Sequence, residues 1–420
     1  MIKLYPSRFD FMAKYLYVKQ YDKKYNTSFF IDLYKAHITT FNGGYELPDT
    51  TLPNSTIIKQ NIDDFIKVFN ELIDDMKKNG YNKQYPIPVD KNGIIENGTH
   101  RLLTAYYYNI KPEIKQISGK GQYYDYNFFL QRQGKPPLER IYADTMALEY
   151  INHNPNQRCM ILYPNAYDNN KIQKIIPIIK QYGDIYYHKV IKLSPNGLIN
   201  LIKELYRGEE WIGGLFPTSG GDGKFRFCYV DNPIIYISIS MYDVTKLIEM
   251  KEKCREIYNL GKHSLHVSDY ISDTWRISAA LLNENSINFL NNGTNNISPQ
   301  TKQLLTTYFK EIENNNESNN EDYCLTSSLI MEMYNLRQAK DIDYLHKDNK
   351  CIDAENIGIH DGKWLSYYQI HKDEIIYNPQ NHFYVNGYKF ATLNIIKKMK
   401  ENRGEPKDIN DLELIHKIRI

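Results

Sequence analysis

The amino-acid sequence predicts an α+β, multidomain protein, on three observations. At 420 residues the chain exceeds what a single hydrophobic core usually serves. Short β-prone runs are interleaved with stretches whose apolar residues recur at helical spacing, and in the middle of the chain their order favours an antiparallel sheet. Breaks at Gly134-Lys135-Pro136-Pro137 and at the Asn-rich run 291–300 divide the chain into 1–135, 136–295 and 296–420. A further polar run, ENNNESNNED (313–322), cannot bury a core and reads as a solvated linker.

Bulk composition narrows the function classes. The 52 basic and 50 acidic residues leave a formal net charge of +2, which argues against a dedicated nucleic-acid binder and leaves nucleotide-sized ligands open. Five scattered cysteines show neither metal nor disulfide spacing, so a reducing, cytoplasmic compartment is expected. No apolar run reaches membrane length and no signal peptide precedes the first charged residues. The 37 tyrosines accompany abundant Asn, Ile and Lys, a compositional bias that does not by itself make a stacking platform.

The first 80 or so residues read as helical. In IDDFIKVFNELIDDMKKNG, Phe65, Phe69, Leu72, Ile73 and Met76 share one helix face, and Gly80 stops the helix. QYPIPVDKNGIIENGTHRLLTAYYYNI follows as strand, Asn-Gly turn, short strand and a helix starting near Thr99. At its junction Gly98 permits close backbone approach, Thr99 caps the helix, and His100 and Arg101 set donors beside exposed N–H groups, forming a small anion cradle. The segment resembles the ParB/sulfiredoxin-like fold over about residues 60 to 130, where Gly-x-His-Arg or Gly-x-Arg-Arg follows a short hairpin and binds nucleotide phosphates. That resemblance implies phosphate contacts at Gly98, Thr99, His100 and Arg101, with Glu96 as an acid or base. The plain alternative is that His100 and Arg101 cap and brace the helix.

A helix resumes after Leu138, and from Met160 strands and helices alternate: RCMILYPNAYD, NKIQKIIPIIKQYG, DIYYHKVIKL, NGLINLIKELYRG, the glycine-rich loop around SGGDGKFRF, PIIYISIS, VTKLIEMKEKCREIYNLG and KHSLHVSD, then a final helix. The loop, which carries Trp211 on its N-terminal side, lacks the P-loop pattern around Lys224. His263-Ser264-Leu265-His266-Val267-Ser268-Asp269 resembles the Asn-x-x-His-Gly-Ser-Asp of nucleoside-diphosphate-kinase-like, ferredoxin-type domains, where the histidine is the phosphorylated nucleophile. The match implies that role for His266. Tyr163-Pro164-Asn165 stands where those kinases carry Lys-Pro-Asp, Ile277 where they place the carboxylate orienting the histidine, and Val267 where they have glycine. Without a clamp for the phosphates and a held second nitrogen, an imidazole is a poor nucleophile. The expectation is therefore a degenerate domain that keeps the shape and a nucleotide or glycan ligand. A His263/His266/Asp269 zinc site is disfavoured, because an extended chain points positions three apart to opposite faces.

The most informative stretch is DYCLTSSLIMEMYNLRQAKDIDYLH (322–346). It reads as a strand, a helix with apolar Leu329, Ile330, Met333 and Leu336, and a second strand whose Asp341 and Asp343 share a face. Paired carboxylates are costly unless a cation sits between them, and an open oxygen-lined side suits Mg²⁺ with phosphate ligands. Ser327 and Ser328 at the helix start suit a phosphate. This resembles the polymerase-beta-like nucleotidyltransferase superfamily, whose signature is a small Gly/Ser pair, a helix, then Asp-x-Asp. Ser-Ser departs from the usual Gly-Ser or Gly-Gly. The match spans roughly the last hundred residues, and KKMKENRGEPKDINDLELI resembles the Lys/Arg-rich helix and Lys-Asp-x-x-Asp of minimal, antitoxin-type members. It implies metal ligation by Asp341 and Asp343, and nucleotide contacts from Ser327, Ser328, Arg337 and Lys407, with Lys397 and Arg403 in a cationic tail. It also implies a third carboxylate on a following strand, for which HKDEIIYNP offers Asp373 and Glu374. The alternative is that the two aspartates merely end a surface strand.

The leading expectation is a Mg²⁺-dependent nucleotidyl- or phosphoryl-transferase using a nucleoside triphosphate, ATP or CTP. The N-terminal segment is similar to ones fused to enzymes of surface-polysaccharide synthesis, which implies a sugar or phospho-sugar acceptor. A catalytically inactive nucleotide-binding regulator or scaffold is the second reading. A toxin–antitoxin or nuclease role is the third, and the near-neutral charge counts against it.

Overall fold

The computed structural model describes residues 4–46, 59–217, 221–294, 296–314 and 320–418. It is α+β and divides into two compact units, Met1–Pro155 and Asn156–Ile420.

Unit one is mainly helical. The helix Ile62–Asn79 forms where its periodicity placed it: the Asn61 side chain accepts from the Asp63 and Asp64 N–H groups, Asp64 answers in a capping box, and Gly80 takes φ +77° at the far end. Its apolar face buries Phe65, Phe69 and Ile73 against Tyr17, Tyr34 and Ile38 from the helices Phe11–Lys23 and Phe29–Asn42. Strand β1 (Ile87–Val89) pairs in parallel with β2 (Ile114–Gln116), and the helix Thr99–Tyr107 follows β1. The short strand expected after the Asn-Gly turn is a single bridge, Val89 to Ile95. The helix Arg140–Asn152 belongs to this unit, through a 3.4 Å Lys19–Glu149 ion pair and a 3.2 Å hydrogen bond from the Tyr150 hydroxyl to the Leu4 carbonyl. The first boundary thus falls near 155 instead of 135.

Unit two holds two sheets. Strands β3 (Gln157–Leu162), β4 (Gly183–Ile191), β5 (Ile234–Met241) and β6 (Leu265–Val267) pair antiparallel in the order β4-β5-β3-β6. Every residue of β3 and β5 is buried, as expected for central strands covered on both faces. One face packs Ile235, Ile237 and Ile239 against Ile172, Ile175 and Ile179 of the helix Asn169–Tyr182 and Met250 and Cys254 of the helix Leu247–Tyr258. The stretch Gly221–Cys228, expected as loop, is a helix, and residues 218–220 before it lie outside the described residues.

The second sheet comprises β7 (Tyr323–Thr326), β8 (Ile342–His346), β9 (Ile357–Ile359), β10 (His382–Val385) and β11 (Tyr388–Ala391), in the order β10-β11-β7-β8-β9. The regions 156–294 and 296–418 pack as one unit: Asn283 and Asn285 donate to the Pro379 carbonyl, and the Ser286 hydroxyl accepts from the Tyr384 N–H. Of the linker expected at 313–322, residues 315–319 lie outside the described residues. Two elements differ from expectation. The helix after Ser327 runs only Ser328–Met333, stopping where Asn335 takes φ +56°, and HKDEIIYNP carries the helix Lys372–Tyr377 in place of a strand because the His371 ring caps the Asp373 N–H.

The last two helices, Leu393–Arg403 and Pro406–His416, are clamped by a buried ion network. Lys400 Nζ lies 2.6 Å from Asp411 and 3.4 Å from Asp408, Arg403 pairs with Asp408 through two nitrogens, and Arg337 pairs with both Asp411 oxygens. Burial pushes the Asp411 and Asp408 carboxyls up, but the adjacent Arg337, Lys400 and Arg403 outweigh it and hold both below their ordinary value. Lys400→Met strands buried carboxylates and is expected to lower stability by about 3 to 5 kcal/mol in urea denaturation at pH 7. Because folded-state values lie below unfolded ones, this contribution is complete above about pH 4 and fades as pH falls through the folded values. The stability lost between pH 7 and pH 3 should therefore be smaller in Asp411→Asn than in the wild type.

Candidate functional site

The candidate site lies at the end of β7, where Thr326 is in register with Asp343 of β8. The chain leaves β7 through Ser327, at φ +60° and ψ −135°, a combination that glycine adopts freely and other residues rarely do. The structure thus holds a glycine-like backbone with a serine on it. The turn brings each serine to one aspartate. Ser328 Oγ donates to Asp341 Oδ1 at 3.1 Å, and Ser327 stands near enough to Asp343 to help lower the pKa of its carboxyl. Asp341 sits one residue before β8 and is exposed, Ile342 is fully buried, and Asp343 is partly buried beside Asp341's side of the strand. Burial pushes the Asp343 carboxyl up, but His360, Ser327 and the Arg403 charge together hold it below its ordinary value, so it is ionised at neutral pH.

The oxygens gathered here fit a hard cation. Among the described residues no three His, Cys, Asp or Glu side chains gather as a metal-binding group. A Mg²⁺ ion characteristically takes only one or two carboxylates and completes its shell with water and phosphate oxygens, and the Asp341/Asp343 pair is that kind of donor set.

The other residues expected here are placed differently. Arg337 is spent on Asp411, and Lys407 is exposed, 3.0 Å from Glu405. Arg403 is buried on Asp408, yet its charge reaches Asp343. Lys397 lines a separate cavity of about 460 Å³ with Asn285, Tyr334 and Asn394. Asp373 is buried on its helix, 3.6 Å from the His371 ring, and Glu374 accepts from Asn378, so neither is a strand-borne third carboxylate. What stands beside Asp343 instead is His360, just past β9, at 3.4 Å. No spacing pattern pointed to it, because β9 reaches β8 only through the parallel pairing of the sheet.

In the middle region His266 lies on β6 and opens onto a cavity of about 620 Å³ lined by Tyr206, Trp211, Lys224, Lys251, Arg255 and Lys262, among others. Its ring is nine-tenths buried, meets Tyr206 edge-on at 5.1 Å and has no hydrogen-bond partner among the described residues. Burial, with the charges of Lys251, Lys224, Arg276 and Arg255, pushes the imidazole down to about 3. Tyr163 and Ile277 are fully buried, so neither a lysine nor a carboxylate meets the ring from those positions. The cations missing from the expected position come from other elements. Lys251 and Arg255, one turn apart on one helix, were the sequence signal for them.

In unit one the Gly98–Arg101 junction is braced from inside. Gly98, at φ +88°, is the cap residue, whereas Thr99 makes no capping bond; its hydroxyl accepts from buried Arg8 at 2.8 Å. His100 Nε2 meets the Tyr34 hydroxyl at 2.9 Å, its ring stands edge-on to Phe69, and burial pushes it well below its ordinary value, so it is neutral. Arg101 donates to the Tyr85 carbonyl at 2.8 Å. A cavity of about 180 Å³ remains beside Lys59, Asn97, Gly98 and Arg101, and Glu96 is exposed at its edge of the chain.

Comparison of the chain with protein-family models, curated proteins and solved structures finds no match.

The Ser327 backbone makes a comparison of two variants informative. Ser327→Ala and Ser327→Gly both lose the hydroxyl, but only glycine relaxes the left-handed turn. We expect Ser327→Gly to be the more stable by about 1 kcal/mol in urea denaturation, and equal stability would mean the turn is not strained.

Proposed function

We propose that the C-terminal region transfers a nucleotidyl or phosphoryl group from a nucleoside triphosphate, ATP or CTP, with Mg²⁺ held by Asp341 and Asp343. One observation carries the reading: two serines and two aspartates meet one to one at the end of the β7–β8 pair, with Asp341 exposed to solvent. Bound Mg²⁺ would neutralise the phosphates and hold the leaving group in line. The chain's own part is positioning. Asp341 and Asp343 fix the cation, their rotation towards it frees the Ser327 and Ser328 hydroxyls to donate to phosphate oxygens, and Arg403 adds positive field behind Asp343. No protein nucleophile is required. The acceptor is a small hydroxyl-bearing molecule, with a sugar or phospho-sugar favoured by the N-terminal resemblance, and the protein acts in the cytoplasm.

Three fold assignments go with this reading: a ParB/sulfiredoxin-like first unit, a ferredoxin-type middle sheet of nucleoside-diphosphate-kinase-like descent, and a nucleotidyltransferase-like C-terminal sheet. The second is supported by the β4-β5-β3-β6 order with a helix crossing after β3 and after β5. Asp341→Asn and Asp343→Asn are expected to abolish Mg²⁺-dependent binding of nucleoside triphosphate, measured by calorimetry, with the unfolding temperature kept within a few degrees. Pyrophosphate release should vanish with them in Asp341→Ala. Unchanged nucleotide affinity would refute the metal role.

A second reading, favoured by the cation-lined cavity around His266, gives the middle region a ligand-binding role without phosphotransfer. His266 is neutral throughout the physiological range, has no hydrogen-bond partner for its second nitrogen among the described residues, and faces Lys224, Lys251, Arg255 and Lys262. Such a pocket takes a phosphate ester and uses the imidazole as a hydrogen-bonding wall. Binding of ADP or a sugar phosphate should weaken in Lys251→Ala and with added salt, yet show no step from His266 between pH 5 and pH 8. ³¹P NMR after incubation with ATP should show no phosphohistidine; a signal lost in His266→Ala would overturn this view.

A further inference from the structure

Asp343 is held from two sides, and the two sides are unlike. On one, Gly358 of β9 is in register with it, and a Cβ built on Gly358 would lie 3.4 Å from Asp343 Oδ1 with nothing else within 4 Å. That side is open for want of a side chain. On the other, Oδ2 lies 3.4 Å from His360 Nε2. His360 is buried and pinned in every direction: Nδ1 lies 2.7 Å from the Tyr368 hydroxyl, and the ring stacks on Trp364 at 5.3 Å with 8° between planes. The Tyr368 hydroxyl in turn lies 2.9 Å from Thr326 Oγ1, and Thr326 is the β7 register partner of Asp343 itself. The contacts close a ring: Thr326, Tyr368, His360, Asp343 and back across the strand pair.

Proton counting gives the ring a direction. An ionised Asp343 only accepts, so Nε2 carries the imidazole hydrogen. Nδ1 is then bare and accepts from the Tyr368 hydroxyl, whose oxygen accepts from Thr326. With the donors assigned in this way, all the hydrogens point towards the carboxylate.

We propose that His360, locked in its Nε2–H form by Tyr368 and Thr326, is a positioning residue that clamps Oδ2 of Asp343 and so presents Oδ1, on the side Gly358 leaves free, to the cation shared with Asp341. The proposal rests on the transferase reading of the site and adds to it the group that occupies the place of a third carboxylate. Unlike a third carboxylate, an imidazole there adds no negative charge to that of the two aspartates. Orientation by a hydrogen-bonded outer partner commonly governs about 10- to 100-fold in metal affinity.

The test uses the full chain without nucleotide and titrates Mn²⁺ by the loss of its free electron-paramagnetic-resonance signal. Thermal unfolding monitors the fold, and ¹⁵N NMR of the histidine rings reads the tautomer. Wild type is expected to retain one Mn²⁺ and to show His360 as Nε2–H. His360→Ala should weaken Mn²⁺ by about 10- to 100-fold, and His360→Gln, which can still place a donor near Oδ2, should recover most of that. Tyr368→Phe should release the tautomer and weaken Mn²⁺ less than His360→Ala does. Gly358→Ala should weaken Mn²⁺ by covering Oδ1 while leaving the tautomer unchanged, which separates access from orientation. Wild-type affinity in folded His360→Ala would overturn the positioning role alone. No retention by the wild type, and none lost in Asp343→Asn, would overturn the transferase reading with it.

Discussion

A carboxylate with about four-fifths of its surface out of water must be answered by hydrogen bonds, and the C-terminal sheet is arranged around giving Asp343 those answers. The β7–β8 register sets Thr326 opposite it, the parallel β8–β9 register sets glycine beside it, and the chain just past β9 delivers the His360 ring. The remaining neighbour is Ser327, whose backbone conformation costs on the order of 1 to 3 kcal/mol and persists because strand, turn and helix all constrain it. Strain, register and a buried aromatic-histidine pair thus converge on one oxygen pair. Asp341, two positions away and open to solvent, has only Ser328 among these supports, so Asp343 is the more constrained of the pair.

Cations are abundant nearby but committed. Arg337, Lys400 and Arg403 all end on Asp408 and Asp411, where pairing is obligatory because each group is largely withdrawn from water. A buried network of this kind contributes less to net stability than to the unique docking of the last two helices. The same economy appears in unit one, where Asp10 is shared by Arg8 and Lys14 and all three are buried. With the local arginines tied to structural partners, the negative charge at Asp343 is met by His360, Ser327 and a remote guanidinium, and Asp341 has the Ser328 hydroxyl.

The middle cavity inverts that charge pattern. Three elements contribute four lysine or arginine residues to it and Asp269 is its single acidic lining group among the described residues, with Lys251 3.4 Å away. Surrounded by positive charge and stripped of water, the histidine stays neutral, which suits a hydrogen-bonding wall and not a nucleophile needing a held partner nitrogen. Two regions of one unit therefore present opposite chemistry: carboxylates and hydroxyls at one sheet, cationic side chains at the other.

Much of the secondary structure was legible because it is written in short-range pattern. The helix Ile62–Asn79 follows from apolar spacing with a cap at each end, and the middle strands follow from β-branched runs between turns. The β10–β11 hairpin carries an equally local signal in Asn386-Gly387, both at positive φ. HKDEIIYNP misleads because Ile375 and Ile376 favour a strand in isolation, whereas a histidine cap and burial make it a helix. The Asp-x-Asp pair and the serines before it were readable as candidates from spacing alone. By itself the sequence determined most of the helical and extended segments and which residues carry charge, because backbone dihedral preference and side-chain alternation are local properties. Only the tertiary structure decided that Arg337 would be consumed by Asp411, 74 positions away, that lysines from separate elements would ring His266, and that His360 would stand beside Asp343. Those outcomes depend on strand register and helix docking, which arise from contacts between residues remote in the chain and leave no periodicity behind.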